Sequence, residues 1–201
     1  FLMIENNIHP INNSLLETKD KEALLGQKGN VFWMYGLSGS GKSTLAIQVE
    51  RSLHKSNIHT IILDGDNLRS TLNKDLGFSD ADREENLRRA CEVARILAVN
   101  GLVVIASFIT PRRKFRETAK EIIGGEFFNE VFVKASYKKC LERDVKGLYE
   151  KAEKGEINQF TGQGSEFEEP IDPWLTIETE LETPEASAKK LLAAILVKVK
   201  P

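Results

Sequence analysis

The chain has 201 residues, with 28 Lys and Arg against 30 Asp and Glu, 3 His and a formal charge of -2. That length suffices for one well-buried α/β domain and is too short for two comfortable ones, and the mixed charges give no overall reason to bind nucleic acid or an anionic membrane. No apolar stretch approaches the length that spans a bilayer, and the N-terminus lacks the charged and apolar regions of a signal peptide, so the expected compartment is the cytoplasm.

The first residues are rich in Asn and charge and read as an arm or short helix outside the core, residues 1–24, ahead of a domain over residues 25–201. The apolar run Val31–Tyr35 reads as a buried strand. It feeds Gly36-Leu37-Ser38-Gly39-Ser40-Gly41-Lys42-Ser43-Thr44, which fits the P-loop pattern G-x-x-x-x-G-K-[ST] in the strand-to-helix context that the pattern requires. Glycines let the backbone wrap a triphosphate closely, Lys42 supplies a charge for the β and γ phosphates, and Ser43 is placed to offer its hydroxyl to Mg²⁺. A helix is expected over Lys42–Lys55.

A second strand, Thr60–Leu63, runs into Asp64-Gly65-Asp66-Asn67-Leu68-Arg69. Two carboxylates thus fall at the carboxyl edge of the sheet, beside the expected phosphates. A kinase acting on a hydroxyl needs a carboxylate to orient it or take its proton, which suits Asp66, while Asp64 suits the metal shell. An ordinary Asx turn closing the strand would explain the same residues. Polar residues Ser79 to Asp82 signal a helix over Asp82–Asn100, on which Arg83 and Asn86, three apart, share a face. They can grip one anionic ligand or simply form a solvated face; Phe78 is either core packing or a platform for a base.

The third strand, Leu102–Ala106, ends at Ser107-Phe108-Ile109-Thr110-Pro111-Arg112-Arg113. Thr110 is expected to cap the next helix, Pro111–Ile123, with Pro111 at its first position. Val131–Val133 gives a fourth strand, Tyr137–Arg143 a helix, Leu175–Ile177 a weaker strand and Pro184–Val199 the last helix. Between them, residues 145–173 break the periodicity and read as a lid interrupted by a short helix, Leu148–Lys154, since phosphoryl transfer requires water to be kept from the acceptor. Cys91 and Cys140 lie in helical patterns without CxxC spacing and read as small buried apolar residues. Alternating strands and helices predict a five-stranded parallel sheet with helices on both faces, a P-loop NTPase fold with the ligand at the carboxyl edge.

Six blocks now carry a resemblance that spacing alone would not: Gly36 to Thr44, Asp64 to Arg69, Gly77 to Ser79 (GFS), Asp82 to Arg89 (DREENLRR), Lys146 to Tyr149 (KGLY) and Phe160 to Gly162 (FTG). In order and separation the chain resembles the adenylylsulfate kinase family from about Leu25 onward. The resemblance implies ATP- and Mg²⁺-dependent phosphorylation of the ribose 3′-hydroxyl of adenosine 5′-phosphosulfate, in sulfate assimilation, by a homodimer. It implies that Lys42, Asp66 and Arg69 are catalytic and that Ser43, Asp64 and Asp66 serve the metal. Arg69, Arg83 and Asn86 would hold the phosphosulfate end, Phe78 and Phe160 would sandwich the substrate adenine, and Lys146 would reach in from the lid. Ile109, Thr110 and Leu148 would complete the acceptor side, and Arg143 would lie against the ATP adenine.

The chain departs from the family pattern where Ile109-Thr110-Pro111 replaces Ile-Ser-Pro, where Gln163 follows FTG, and where Glu166-Phe167-Glu168 replaces Pro-Tyr-Glu. Direct in-line transfer requires no phosphorylated residue at position 110. Two rival readings are another P-loop kinase for a sugar or nucleotide, and a nucleotide-binding regulatory domain without turnover. The paired aromatics beside Arg83 and Asn86 weigh against a sugar, and the intact set Lys42, Ser43, Asp66 and Arg69 weighs against lost turnover.

Overall fold

The computed structural model describes residues 9–11, 14–144, 147–155, 160–161, 164–165 and 167–201. At its centre lies β1 (Asn30–Tyr35), every residue of which is buried. Side chains alternate across a strand, so Val31, Trp33 and Tyr35 enter one core and Phe32 and Met34 enter the other. Among the described residues β1 pairs in parallel with β3 (Val103–Ser107) and β4 (Phe128–Lys134); β2 (Thr60–Asp64) and β7 (Leu175–Glu178) flank them in the order β2-β3-β1-β4-β7.

Helices cover both faces, as burial of a parallel sheet demands. On one face α2 (Lys42–Lys55) packs Leu45, Ala46, Val49 and Leu53 beside Ala188, Leu191, Ile195 and Val199 of α8 (Pro184–Val199). That helix starts as its sequence dictates: Thr183 Oγ1 accepts the Ala186 amide at 3.2 Å, and Pro184 sits where no amide is needed. On the other face α4 (Asp80–Ala98) and α5 (Arg113–Ile123) bury Leu87, Ala90, Cys91, Ala94, Phe115 and Ala119. Helix α1 (Thr18–Leu25) lies outside these cores with no buried residue, and its Lys21 donates to Asn100 Oδ1 at 2.8 Å. No helix among the described residues is long and apolar enough to cross a membrane.

Strand ends shift by one to three residues from expectation, and three further differences bear on the site. The polar run after β2 forms a short helix, α3 (Gly65–Ser70), because the Asp64 carboxylate caps it. Helix α4 begins at Asp80 because Ser79 is its N-cap, its Oγ accepting the Asp82 amide at 3.2 Å. Helix α5 begins at Arg113, two residues after Pro111. Thr110 is therefore no cap: its backbone is left-handed at φ 39, and its side chain is taken by Trp33.

Beyond β4, α6 (Tyr137–Arg143) and α7 (Leu148–Glu153) precede two-residue strands β5 (Phe160–Thr161) and β6 (Gly164–Ser165). Phe167 then returns to the core, its ring 5.8 Å from that of Phe132 and 6.5 Å from that of Tyr35. Glu168 locks this return, its amide donating to Pro111 O at 2.9 Å while its Oε2 accepts the Arg113 amide at 2.6 Å.

Leu191 is fully buried between α2, α8 and the sheet. Leu191→Ala is expected to lower stability by about 2–5 kcal/mol through lost transfer energy and a residual cavity. Urea unfolding checks this: the midpoint should fall with an unchanged slope.

Candidate active site

The loop Gly36–Gly41 joins β1 to α2 at the carboxyl edge of the sheet. Gly36 has to be glycine, because a Cβ there would run into the Val133 carbonyl. Gly41, at φ 102, turns the chain into α2, whose first turn lines the cleft and has no side-chain cap. Lys42 is buried at 9% exposure, and its Nζ donates to Gly36 O at 2.9 Å and Leu37 O at 2.8 Å. A cation is thus held against the loop that it serves.

A cleft of about 460 Å³ opens from this loop. Its walls bring together Ser38, Gly39, Gly41, Lys42, Ser43 and Thr44 with Asp64, Asp66 and Arg69, and with Phe78, Arg83, Asn86, Ile109, Thr110, Arg143 and Leu148. Six elements and three loops therefore deliver one concave surface. Lys146 lies outside the described residues, as does the side chain of Phe160.

On the phosphate side Ser43 Oγ donates to Asp64 Oδ2 at 3.0 Å. Asp64 Oδ1 accepts the amides of Asp66 and Asn67 at 3.1 and 3.5 Å, so the Asx turn and the outward carboxylate oxygen coexist in one side chain. These are hard oxygen donors. Among the described residues no cluster of three or more His, Cys, Asp and Glu could cage a metal. A sparse oxygen set beside a phosphate loop fits Mg²⁺, which keeps waters and takes further ligands from phosphates. Asp66 stands on the first turn of α3, exposed in the same cleft.

The opposite wall is cationic. Arg69 lies 4.5 Å over the Phe78 ring and donates to Gly77 O at 2.6 Å, and Arg83 Nε donates to Phe78 O at 2.9 Å. Burial and then the like charge of Arg83 lower the Arg69 guanidinium from its ordinary value, while Asp82 and Asp66 oppose this. Two guanidiniums that repel each other in a partly dry cleft favour an anion between them. Phe78 is 67% exposed, so it is not core. The neighbouring Arg88 and Arg89 share the Glu85 carboxylate, which they pull down to about 2, and Arg89 pairs with Asp75 as well at 2.8 Å.

Several interactions that shape the site carried no signal in the sequence. Trp33 Nε1 donates to Thr110 Oγ1 at 3.0 Å, and Arg116 donates to Thr110 O at 2.9 Å, so two buried side chains hold a β-branched residue in a conformation it disfavours. Thr179 Oγ1 donates to Ser40 O at 2.7 Å. Arg143 donates to Gly39 O and Thr179 Oγ1, both at 3.2 Å, and to Thr179 O at 2.7 Å, which fixes it beside the phosphate loop. Tyr149 of α7 donates to Ser38 O at 2.8 Å; burial pushes its hydroxyl pKa up and keeps the donor protonated. Burial likewise pushes the Cys91 and Cys140 thiols up, as expected of cysteines that pack and do not react.

Comparison with known proteins agrees with this geometry. Residues 28–178 match the family described as Adenylylsulphate kinase. An adenylyl-sulfate kinase of Bacteroides thetaiotaomicron is 49% identical over 195 residues, 97% of each chain. A solved structure of the APS kinase of Mycobacterium tuberculosis, in complex with AMPPNP and APS, aligns with a TM-score of 0.80 at 43% identity, over 84% of this chain and 98% of that one. A hexameric APS kinase from Thiobacillus denitrificans aligns with a TM-score of 0.64 at 26% identity, over 85% of this chain and 29% of that one.

The Trp33 contact makes Thr110 testable. Thr110→Ser keeps the acceptor oxygen and removes the branched methyl, so its melting temperature should equal or exceed that of the parent. Thr110→Val strands a buried indole N–H and should lose about 1–3 kcal/mol while retaining measurable turnover. Thermal unfolding and a steady-state assay on the two variants check both.

Proposed function

The chain belongs to the adenylylsulphate kinase family, and from that premise we propose how its own residues carry the reaction. The enzyme transfers the γ-phosphoryl group of ATP to the ribose 3′-hydroxyl of adenosine 5′-phosphosulfate, giving 3′-phosphoadenosine 5′-phosphosulfate and ADP. The observation that carries the assignment of roles is the single cleft that has the P-loop and Lys42 on one wall, Arg69, Arg83 and Asn86 on the other, and Asp66 on the same helix as Arg69.

On the donor side the Gly39 to Thr44 amides cradle the phosphates, and Lys42 exchanges its loop carbonyls for β- and γ-phosphate oxygens. Arg143, held by Gly39 and Thr179, presents its guanidinium face to the ATP adenine. Ser43 and Asp64, with Asp66, would hold Mg²⁺, which would neutralise charge on the β and γ phosphates. On the acceptor side Arg69 and Arg83 fork onto the phosphosulfate, and Asn86 adds a polar contact. Phe78 stacks on the adenine of the acceptor, opposite Phe160; Ile109, Thr110 and Leu148 line its nucleoside, and Lys146 closes from the lid.

Asp66 then accepts the proton of the 3′-hydroxyl as that oxygen bonds to the γ-phosphorus. The bond from the γ-phosphorus to the β–γ bridging oxygen breaks, ADP departs with that oxygen, and Asp66 returns its proton to solvent. Positioning and charge stabilisation supply the rate, as is usual in phosphoryl transfer. We place the protein in the cytoplasm, in keeping with its two free buried thiols. The assembly in keeping with the family resemblance is a homodimer.

With Mg-ATP, ADP should be released only when adenosine 5′-phosphosulfate is supplied. Release with AMP or gluconate in its place, and none with adenosine 5′-phosphosulfate, would overturn the assignment; coupled ADP detection reads it. Asp66→Ala should lower kcat by about 10²–10⁴ with ATP affinity nearly intact, as loss of a base acting in the transition state requires. Near-normal kcat in that variant would remove Asp66 from the mechanism.

A further inference from the structure

The acceptor wall contains an amide pair that none of the roles above explains. Asn73 is fully buried in the turn between α3 and α4, and its Nδ2 donates to Asn86 Oδ1 at 2.9 Å. Its own Oδ1 is buried without a hydrogen-bond partner among the described residues. The backbone of Asn73 already closes the turn, its amide donating to Leu68 O at 2.8 Å and its carbonyl accepting the Leu76 amide at 3.0 Å. The side chain is thus not needed to make the turn, yet a polar group has been buried there with half of its bonding capacity unused.

The orientation of this pair has a chemical reading. A carboxamide offers a donor at one end and an acceptor at the other. With Oδ1 of Asn86 turned to Asn73, the end that Asn86 presents to the cleft is its NH₂. An anion accepts hydrogen bonds and gives none, so only that end serves a phosphosulfate; the reverse rotamer would aim a carbonyl oxygen at negative charge. The reversed pair would also leave the two N–H groups of Asn73 buried without an acceptor, a worse state than one unsatisfied carbonyl oxygen.

We infer that Asn73 is a positioning residue for substrate specificity: it pins the Asn86 carboxamide so that Asn86 gives a donor to the anionic end of the acceptor nucleotide. This rests on the acceptor reading above. Because α3 carries Asp66 and Arg69 and α4 carries Arg83 and Asn86, the same bond also stitches together the two helices that form the cationic wall.

The test is a double-mutant cycle, read as separate KM values for adenosine 5′-phosphosulfate and ATP, with melting temperatures alongside. Asn73→Ala should raise KM for adenosine 5′-phosphosulfate by about tenfold, the size of one hydrogen bond to a charged group, and change KM for ATP by less than about twofold. Asn86→Ala should do the same, and the double variant should be no worse than Asn86→Ala alone, even though its melting temperature is lower. If Asn73→Ala does not fold, Asn73→Asp preserves the shape, removes the donor and gives the same comparison. An unchanged KM for adenosine 5′-phosphosulfate, an equal rise for both substrates, or a further rise in the Asn86→Ala background would each overturn the inference. Absence of turnover with adenosine 5′-phosphosulfate in the parent enzyme would instead count against the assigned reaction.

Discussion

Burial of β1 is the constraint from which the rest of this molecule follows. All six of its residues are inaccessible, so each face of the sheet must be covered by helices, and strand residues must alternate between two cores. Where the strand ends at Tyr35 the chain has no room for a side chain beside the Val133 carbonyl, and the loop that turns there must be glycine-rich. The same strand reaches the acceptor side through Trp33, whose ring stacks 4.8 Å from Phe108 and whose indole holds Thr110. The P-loop and the Thr110 side of the cleft are therefore registered to one another through a single buried ribbon.

Charge in this protein is arranged by neighbourhood and not in total. A chain that is nearly neutral overall still builds a cationic wall, because the turn between α3 and α4 brings Arg69 and Arg83 close enough for the charge of one to act on the other. The run Asp82 to Arg89 looks uniform as sequence, yet its two ends are placed differently, Arg83 and Asn86 lining the cleft while Arg88 and Arg89 pair along the helix surface. Such a division depends on which residues face Asp75 and Glu85, and that depends on the turn between α3 and α4.

How much could be read from sequence follows the range of the interactions involved. Helices α2, α6 and α8 begin and end where their caps and periodicity place them, because capping is decided within four residues. The five strands of the main sheet were legible from apolar runs, and the P-loop from its glycine spacing. Helix α3 was not, since the Asp64 side chain could as well have closed a plain turn. Thr110 failed for a plainer reason: Thr before Pro is a good local cap, and what overrules it is an indole 77 residues away. Asn73 and Thr179 are likewise defined by partners outside their own turns, and no local pattern marks them.

Lys42 shows what such prearrangement does to ligand binding. Its ammonium group already rests on the Gly36 and Leu37 carbonyls, so its rotamers are restricted at folding and not when the nucleotide arrives. On the role proposed for Lys42, nucleotide capture would be an exchange of acceptors at a fixed cation, with little ordering of that side chain left to do. The calorimetric signature of such an exchange is a small entropic penalty from the lysine and an enthalpy that reports the difference between carbonyl and phosphate as partners, so the loop's affinity is tuned by the quality of the contacts that it gives up as much as by those that it gains.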